Sequence, residues 1–373
     1  MPEMEEMMPG ISPGLKKAAD VAINEVLKVR KGEKVLIVTN PAKGVSLISK
    51  ALFDASREAK AEVTLVIQPT KSQLDLANET VLGALRTDPD VLISISEEKL
   101  GKDRHSIKDP IRAGDSTYDH YFNYLLGEKK SRSFWSPSVT VDIFERTVPI
   151  DYVKLREQCT KVKEVLDRGE NVHIEAPSGT NLDIGIAGRE AKADDGNFSE
   201  PGTGGNLPAG ETFISPELSA SRGMIVFDGS IASDRGIIMI EKPITCEVDA
   251  GLVTDIHGGK EAAKLRDTIQ RARERTAEFV DEGKLPREER DHYMTNTANL
   301  GELGIGLNHS ARIIGNMLED EKVYGTCHIA IGANYDNDAR ALIHLDGLIK
   351  SPTITVTGPN FQETIMKDGR LLL

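Results

Sequence analysis

The strongest constraint on this chain is a change of pattern between residues 150 and 165. Before it, β-rich runs alternate with helical ones. "SPGLKKAADVAINEVLKV" spaces its apolar residues as a helix does, "EKVLIVT" is a short strand-like run, and "GVSLISKALFDASREAK" is a second helix. "AEVTLVI" then gives a second strand, and "DVLISIS" a third after the helical "SQLDLANETVLGALRT". Strands separated by helices pair in parallel, so residues 1–150 are expected to form an N-terminal α/β domain with a mostly parallel sheet. "FWSPSVTVDIFERTVPID", with a proline towards each end, reads as the connector.

After the connector, strands and turns dominate. "VPIDYVKLREQCTKVKEVLDRG" is a helix ending at Gly169, "NVHIEAPSGTNLDIGIAG" a hairpin, and "GMIVFDGSIASDRGIIMIEKPITCEVDAGLVTDI" several short strands. A long helix follows from about Lys260 to Glu282, and the tail "TITVTGPNFQETIMKDGRLLL" is β-rich with a Lys-Asp-Gly turn. Residues 151–373 are therefore expected to be an α+β C-terminal domain rich in antiparallel strands.

Composition excludes several classes of function. A net charge of −13 does not suit a nucleic-acid groove, and the basic stretch "KLRDTIQRARERTAEF" alternates with acids as a solvated helix face does. No run approaches the ~18 to 20 apolar residues of a membrane span, and "MPEMEEMMPG" lacks the pattern of a signal peptide. Cys159, Cys246 and Cys327 are widely spaced, as reduced thiols in a cytoplasm would be. "KVRKGEKVLI" carries no dinucleotide fingerprint, and "HGGK" lacks the earlier glycine and the Ser/Thr of a phosphate loop. The partners expected are small molecules or further copies of the chain.

The chemistry concentrates between residues 296 and 349. In "ALIHLDGLI", His344 and Asp346 lie two apart and so share one face of a strand. An isolated pair of this kind is more often a structural hydrogen bond than a metal site. "KVYGTCHIAIGANY" adds His328 on a strand face of small residues, "NTANLGELGIGLN" sets Glu302 in a glycine-rich apolar stretch, and "GGNLPAGETFISP" does the same for Glu211. Carboxylates in such surroundings need a cation or hydrogen-bond donors. Imidazoles and carboxylates together suit Zn, Co, Mn or Fe. Their number exceeds what one catalytic ion takes, which points to a dinuclear site with ions ~3.5 to 4 Å apart.

With "NLPAGETFISP", "GELGIGLN", "EDEKVYGTCHIAIGANY" and "IHLD" in that order, the sequence resembles the aminopeptidase T family of metal-dependent exopeptidases, over nearly the whole chain. The resemblance implies Glu211, Glu302, His328, Tyr335, His344 and Asp346 as the metal set and two divalent ions per chain, Zn, Co or Mn. It further implies a homodimer, small peptides with a free N-terminus as substrates, and a metal-activated water that releases the N-terminal amino acid. Tyr335 in "ANYDND" also reads as a turn residue capping the core. His309 lies near Glu302 in sequence and could support it, whereas His257, Asp183, Asp249 and the acids of "EDEK" read as surface, turn or structural residues. "EPGTGGN" reads as a loop over the site.

The interval from His328 to His344 is shorter than the peptidases lead one to expect. A relative of the same fold is a mononuclear iron dioxygenase that cleaves dihydroxypyridine rings. In that alternative His328, His344 and Asp346 would hold Fe(II). A non-catalytic, metal-stabilised dimer is the third reading.

Overall fold

The computed structural model describes residues 10–72 and 75–373. The opening "MPEMEEMMPG" lies, but for its last residue, outside the described residues. The chain divides into two compact units, Met1–Arg156 with Gly196–Ala209, and Glu157–Asp195 with Gly210–Leu373. The expected ranges 1–150 and 151–373 treat each domain as one stretch. Here Gly196–Ala209 joins the first unit, because its strand Gly204–Asn206 pairs in parallel with Arg132–Pro137.

The first unit is built on a parallel sheet in the order Gly204–Asn206, Arg132–Pro137, Val91–Ser96, Lys34–Thr39, Glu62–Ile67. Val91–Ser96 is buried along its whole length, as a central parallel strand covered on both faces must be. Helix Lys43–Glu58 makes the first crossover and buries Val45, Ile48, Leu52 and Ala55 at helical spacing.

Two expectations fail in this unit. The helix read in "SQLDLANETVLGALRT" is confined to Glu79–Leu85, because the Ala77 N–H donates to the Lys102 carbonyl and holds the chain extended just before it. Residues 73 and 74 of that reading lie outside the described residues. The supposed connector is part of the sheet and its cover: Arg132–Pro137 is a strand, and Val141–Thr147 is a helix capped by Thr140. Its serines hid the strand. Ser133 and Ser136 are buried within it; the Ser136 hydroxyl donates to the Leu207 carbonyl, as that of Ser131, just before the strand, does to Pro89.

The second unit contains two antiparallel sheets. One runs Leu252–His257, Ile244–Asp249, Arg222–Phe227, Asn181–Gly185, Asn171–Glu175, Thr353–Gly358, Phe361–Lys367, Arg370–Leu371, and includes the expected hairpin and tail. Helix Lys260–Asp281 buries Ala262, Leu265, Ile269, Ala272 and Val280 and, Glu261 excepted, turns its charges outward. The other sheet runs Gly236–Met239, Ser230–Ser233, His344–Lys350, Thr326–Gly332, Leu300–Gly306, Glu211–Ile214, Lys192–Asp194. The fold class is thus α/β with a parallel sheet, followed by an antiparallel-rich α+β unit. Cys159, Cys246 and Cys327 are unpaired and buried. Among the described residues no helix is long and apolar enough to cross a membrane.

Candidate metal centre

Strand alternation and register gather the acids and imidazoles on one face of the second sheet. Glu302, Gly304 and Gly306 alternate along one strand, His328, Ala330 and Gly332 along the next, and His344, Asp346 and Leu348 along the third. Ala330 pairs with both Glu302 and Asp346, Gly304 with His328, and Gly332 with His344. Glu211 pairs with Gly306 on one side and Asp194 on the other. Every imidazole therefore has a glycine beside it. The opposite face carries Leu303, Ile305, Cys327, Ile329, Ile331, Leu345 and Ile349, all buried, which anchors the strands in an apolar core.

The donors converge in two groups. Glu211, Glu302 and His328 offer atoms within 4.8 Å of one another, and so do Glu302, His344 and Asp346. Glu302 belongs to both. His328 Nε2 lies 2.9 Å from Glu302 Oε1 and 3.5 Å from Glu211 Oε2, while His344 Nε2 lies 3.2 Å from Asp346 Oδ1 and 3.8 Å from Glu302 Oε2. His344 Nδ1 is 2.8 Å from the Ala333 carbonyl. That contact calls for a proton on Nδ1 and leaves the Nε2 lone pair for a cation, the usual outer support of a metal-bound imidazole.

The electrostatics of the site call for positive charge. Burial pushes the carboxyls of Glu302 and Glu211 above their usual range, against the pull of His328 on the first and Lys322 on the second. Burial opposes charge on His328 as well, yet its bond to Glu302 and the charge of Glu211 raise it to about 9. His344 rises to about 10 against burial, driven by Asp346. Asp346 itself is held well below the usual range, because His344 outweighs its burial. Without metal, protons on the imidazoles stand where cations would. Glu211 Oε2, Glu302 Oε2 and Asp346 Oδ1 are buried without a hydrogen-bond partner, which fits residues arranged around ions.

Tyr335 adjoins this group, and burial together with the charges of Glu302, Asp346, Glu321 and Glu211 pushes its phenol well up. It is 54% exposed, in the turn after the His328 strand, with its ring centroid 5.4 Å from that of His344 and 5.1 Å from that of Phe213. His309 stacks on Tyr324 at 3.7 Å and is exposed. His257 is exposed next to Glu247 and Asp255. Asp183 sits 3.0 Å from His173 on the other sheet. "EPGTGGN" supplies the edge strand Gly204–Asn206 of the first unit in place of the expected loop.

Three charged residues escaped the sequence reading. Lys322, wholly buried, reaches Glu211 Oε1 at 2.5 Å, Glu321 Oε1 at 2.7 Å and Asp194 Oδ2 at 3.3 Å. Burial raises Asp194 to about 8 in spite of Lys322. Within "EDEK", Glu319 and Asp320 are structural: they accept from the backbone amides of Arg312, Ile314 and Gly315. Glu321 and Lys322 belong to the centre. A lysine closing a run of acids just before a β-run was the available signal; Asp194, in "KADDGN", gave none.

A family model described as 2,5-dihydroxypyridine 5,6-dioxygenase matches residues 138–312. The 2,5-dihydroxypyridine 5,6-dioxygenase of Pseudomonas putida KT2440 is 28% identical over 130 residues, which is 35% of this chain. The match spans 36% of that relative's length. Among solved structures, 2,5-dihydroxypyridine dioxygenase from the same organism superposes with a TM-score of 0.71 at 16% identity, covering 97% of this chain and 98% of that one. Wild-type AmpT from Thermus thermophilus gives 0.64 at 17% identity, covering 98% and 100%. The fold is thus the one shared by AmpT and the pyridine dioxygenase.

Proposed function

We propose that this chain is a metal-dependent aminopeptidase that holds two divalent ions, Zn, Co or Mn, and removes N-terminal residues from small unblocked peptides. The observation that carries this reading is the position of Glu302 as the common member of two donor groups. A carboxylate with one oxygen turned to each group is how neighbouring ions are commonly bridged. Charge supports bound cations at the same residues. Asp194, Glu211 and Glu321 surround the ammonium of Lys322, while Glu302 and Asp346 stand against His328 and His344. With neutral imidazoles, bound cations would hold Glu211, Glu302 and Glu321 ionised against the burial that raises them.

Glu211, Glu302 and His328 would hold one ion, and Glu302, His344 and Asp346 the other. Such ions supply Lewis acidity and lower the pKa of water to about 7. The chain's own part is to fix the donors on a rigid sheet, to keep His344 in one tautomer through Ala333, and to offer an apolar wall for a substrate side chain in Phe213 and Tyr335. Assembly as a homodimer in the cytoplasm belongs to the same proposal.

The second reading is a mononuclear Fe(II) ring-cleaving dioxygenase, favoured by the family match and by the pyridine dioxygenase among the similar structures. The family match, however, stops at residue 312, before His328, His344 and Asp346. Nor do those three residues form one of the close donor groups among the described residues. The deciding experiment strips the protein and titrates Co(II), Zn(II), Mn(II) and, without oxygen, Fe(II). Two ions per chain and cleavage of free but not N-acetylated peptides are expected. One Fe(II) per chain with oxygen uptake on 2,5-dihydroxypyridine would establish the dioxygenase instead.

A further inference from the structure

We propose that Lys322 is a positioning residue that restricts Glu211 to one-oxygen ligation and so keeps a coordination place open on the first ion. The inference rests on the two-ion reading above. Its basis is the division of labour between the two oxygens of Glu211. Oε1 takes a bond from the Lys322 ammonium, whereas Oε2 has no hydrogen-bond partner and faces His328 Nε2 at 3.5 Å. A carboxylate with one oxygen engaged by an ammonium has one left for a metal. Three protein donors with Glu211 binding through a single oxygen leave room for water or substrate, as a catalytic ion requires.

Lys322 is built to hold this position. Its ammonium donates to Glu211 and Glu321 and lies 3.3 Å from Asp194 Oδ2. Its backbone is pinned as well: its N–H donates to the Glu319 carbonyl at 3.0 Å, and its own carbonyl accepts from Asn308 at 2.8 Å. The preceding turn is tied down by the amides that donate to Glu319 and Asp320, and by the Ser230 hydroxyl, which donates to Asp320. A wholly buried lysine is costly to desolvate, and a long flexible side chain would not be fixed this thoroughly for solubility.

The test uses the Co(II)-loaded full chain with two variants: Lys322→Met, and Lys322→Met combined with Asp194→Asn to remove a carboxylate left without its cation. With circular dichroism native in the double variant, one of the two ions is expected to bind about tenfold or more weakly, in the range seen when outer supports of metal ligands are removed. The visible Co(II) absorption should also weaken, reporting a higher coordination number at one ion. A folded double variant with both affinities and the spectrum unchanged would overturn the role of Lys322. Wild-type protein that binds fewer than two ions would overturn the two-ion reading itself, and that is read before any variant is made.

Discussion

Gly304 lies directly across the ladder from His328, and the space where its side chain would stand is taken by the imidazole. A Cβ at position 304 would land on Nε2 and Cε1, the edge of the ring that faces Glu302. His328 is fully buried and has no room to retreat. Gly304→Ala is therefore expected to cost about 1–3 kcal/mol in stability, as overpacking does, and to weaken the ion held by His328 at least about tenfold, as loss of a ligand's support does. Urea melts with and without Co(II) check both parts. A variant with wild-type metal affinity would mean that His328 is not a ligand.

The sharing of Glu302 sets its variant apart in metal stoichiometry from those of Glu211 and His344. Glu302→Ala should lose both ions, whereas Glu211→Ala and His344→Ala should each lose one and keep the other. The sheet face beneath them is apolar and separately packed, so far-UV circular dichroism should stay largely native in His344→Ala. Metal analysis after gel filtration reads the count. If Glu302→Ala retained one tight ion, the bridging position would be refuted.

Much of this centre was legible in the sequence because strand alternation is a local rule. "HLD" and "GTCHIAIG" place their donors on a face without any knowledge of the partner strands, and glycine-rich surroundings mark Glu302 and Glu211 as desolvated. Lys322 and Asp194 were not legible. Their role arises from the register that sets Asp194 beside Glu211 and from a turn that brings Lys322 under both, and neither is encoded by a local pattern. The strand Arg132–Pro137 was missed for a related reason. Buried Ser133 and Ser136 interrupt its apolar run, and the Ser136 hydroxyl finds its partner remote in sequence, so "RSFWSP" shows no apolar alternation. The return of Gly196–Ala209 to the first unit is a pairing between segments about seventy residues apart, which composition does not reveal.

The pH dependence of the first unit follows from Glu33 and Arg132. Arg132 is 2% exposed and donates to both Glu33 oxygens, at 3.1 and 2.6 Å, and to the carbonyls of Leu27 and Lys28. Burial would raise the Glu33 carboxyl, but the bonds from Arg132 and the Arg30 amide outweigh it and bring the group below its ordinary 4.5. A carboxyl lowered by folding stabilises the native state fully above its unfolded value and loses that contribution as pH falls through the folded one. Glu33→Gln should therefore destabilise the protein by about 1–3 kcal/mol at pH 7, since Arg132 keeps its two carbonyl partners. The gap between the variant and the wild type should narrow as pH drops below 4.5. Urea midpoints of the metal-free proteins between about pH 7 and pH 3 measure that gap. Using the difference between the two proteins cancels the titration of the second unit's buried acids, and curves that ran parallel to the lowest pH would show that Glu33 carries no linked proton.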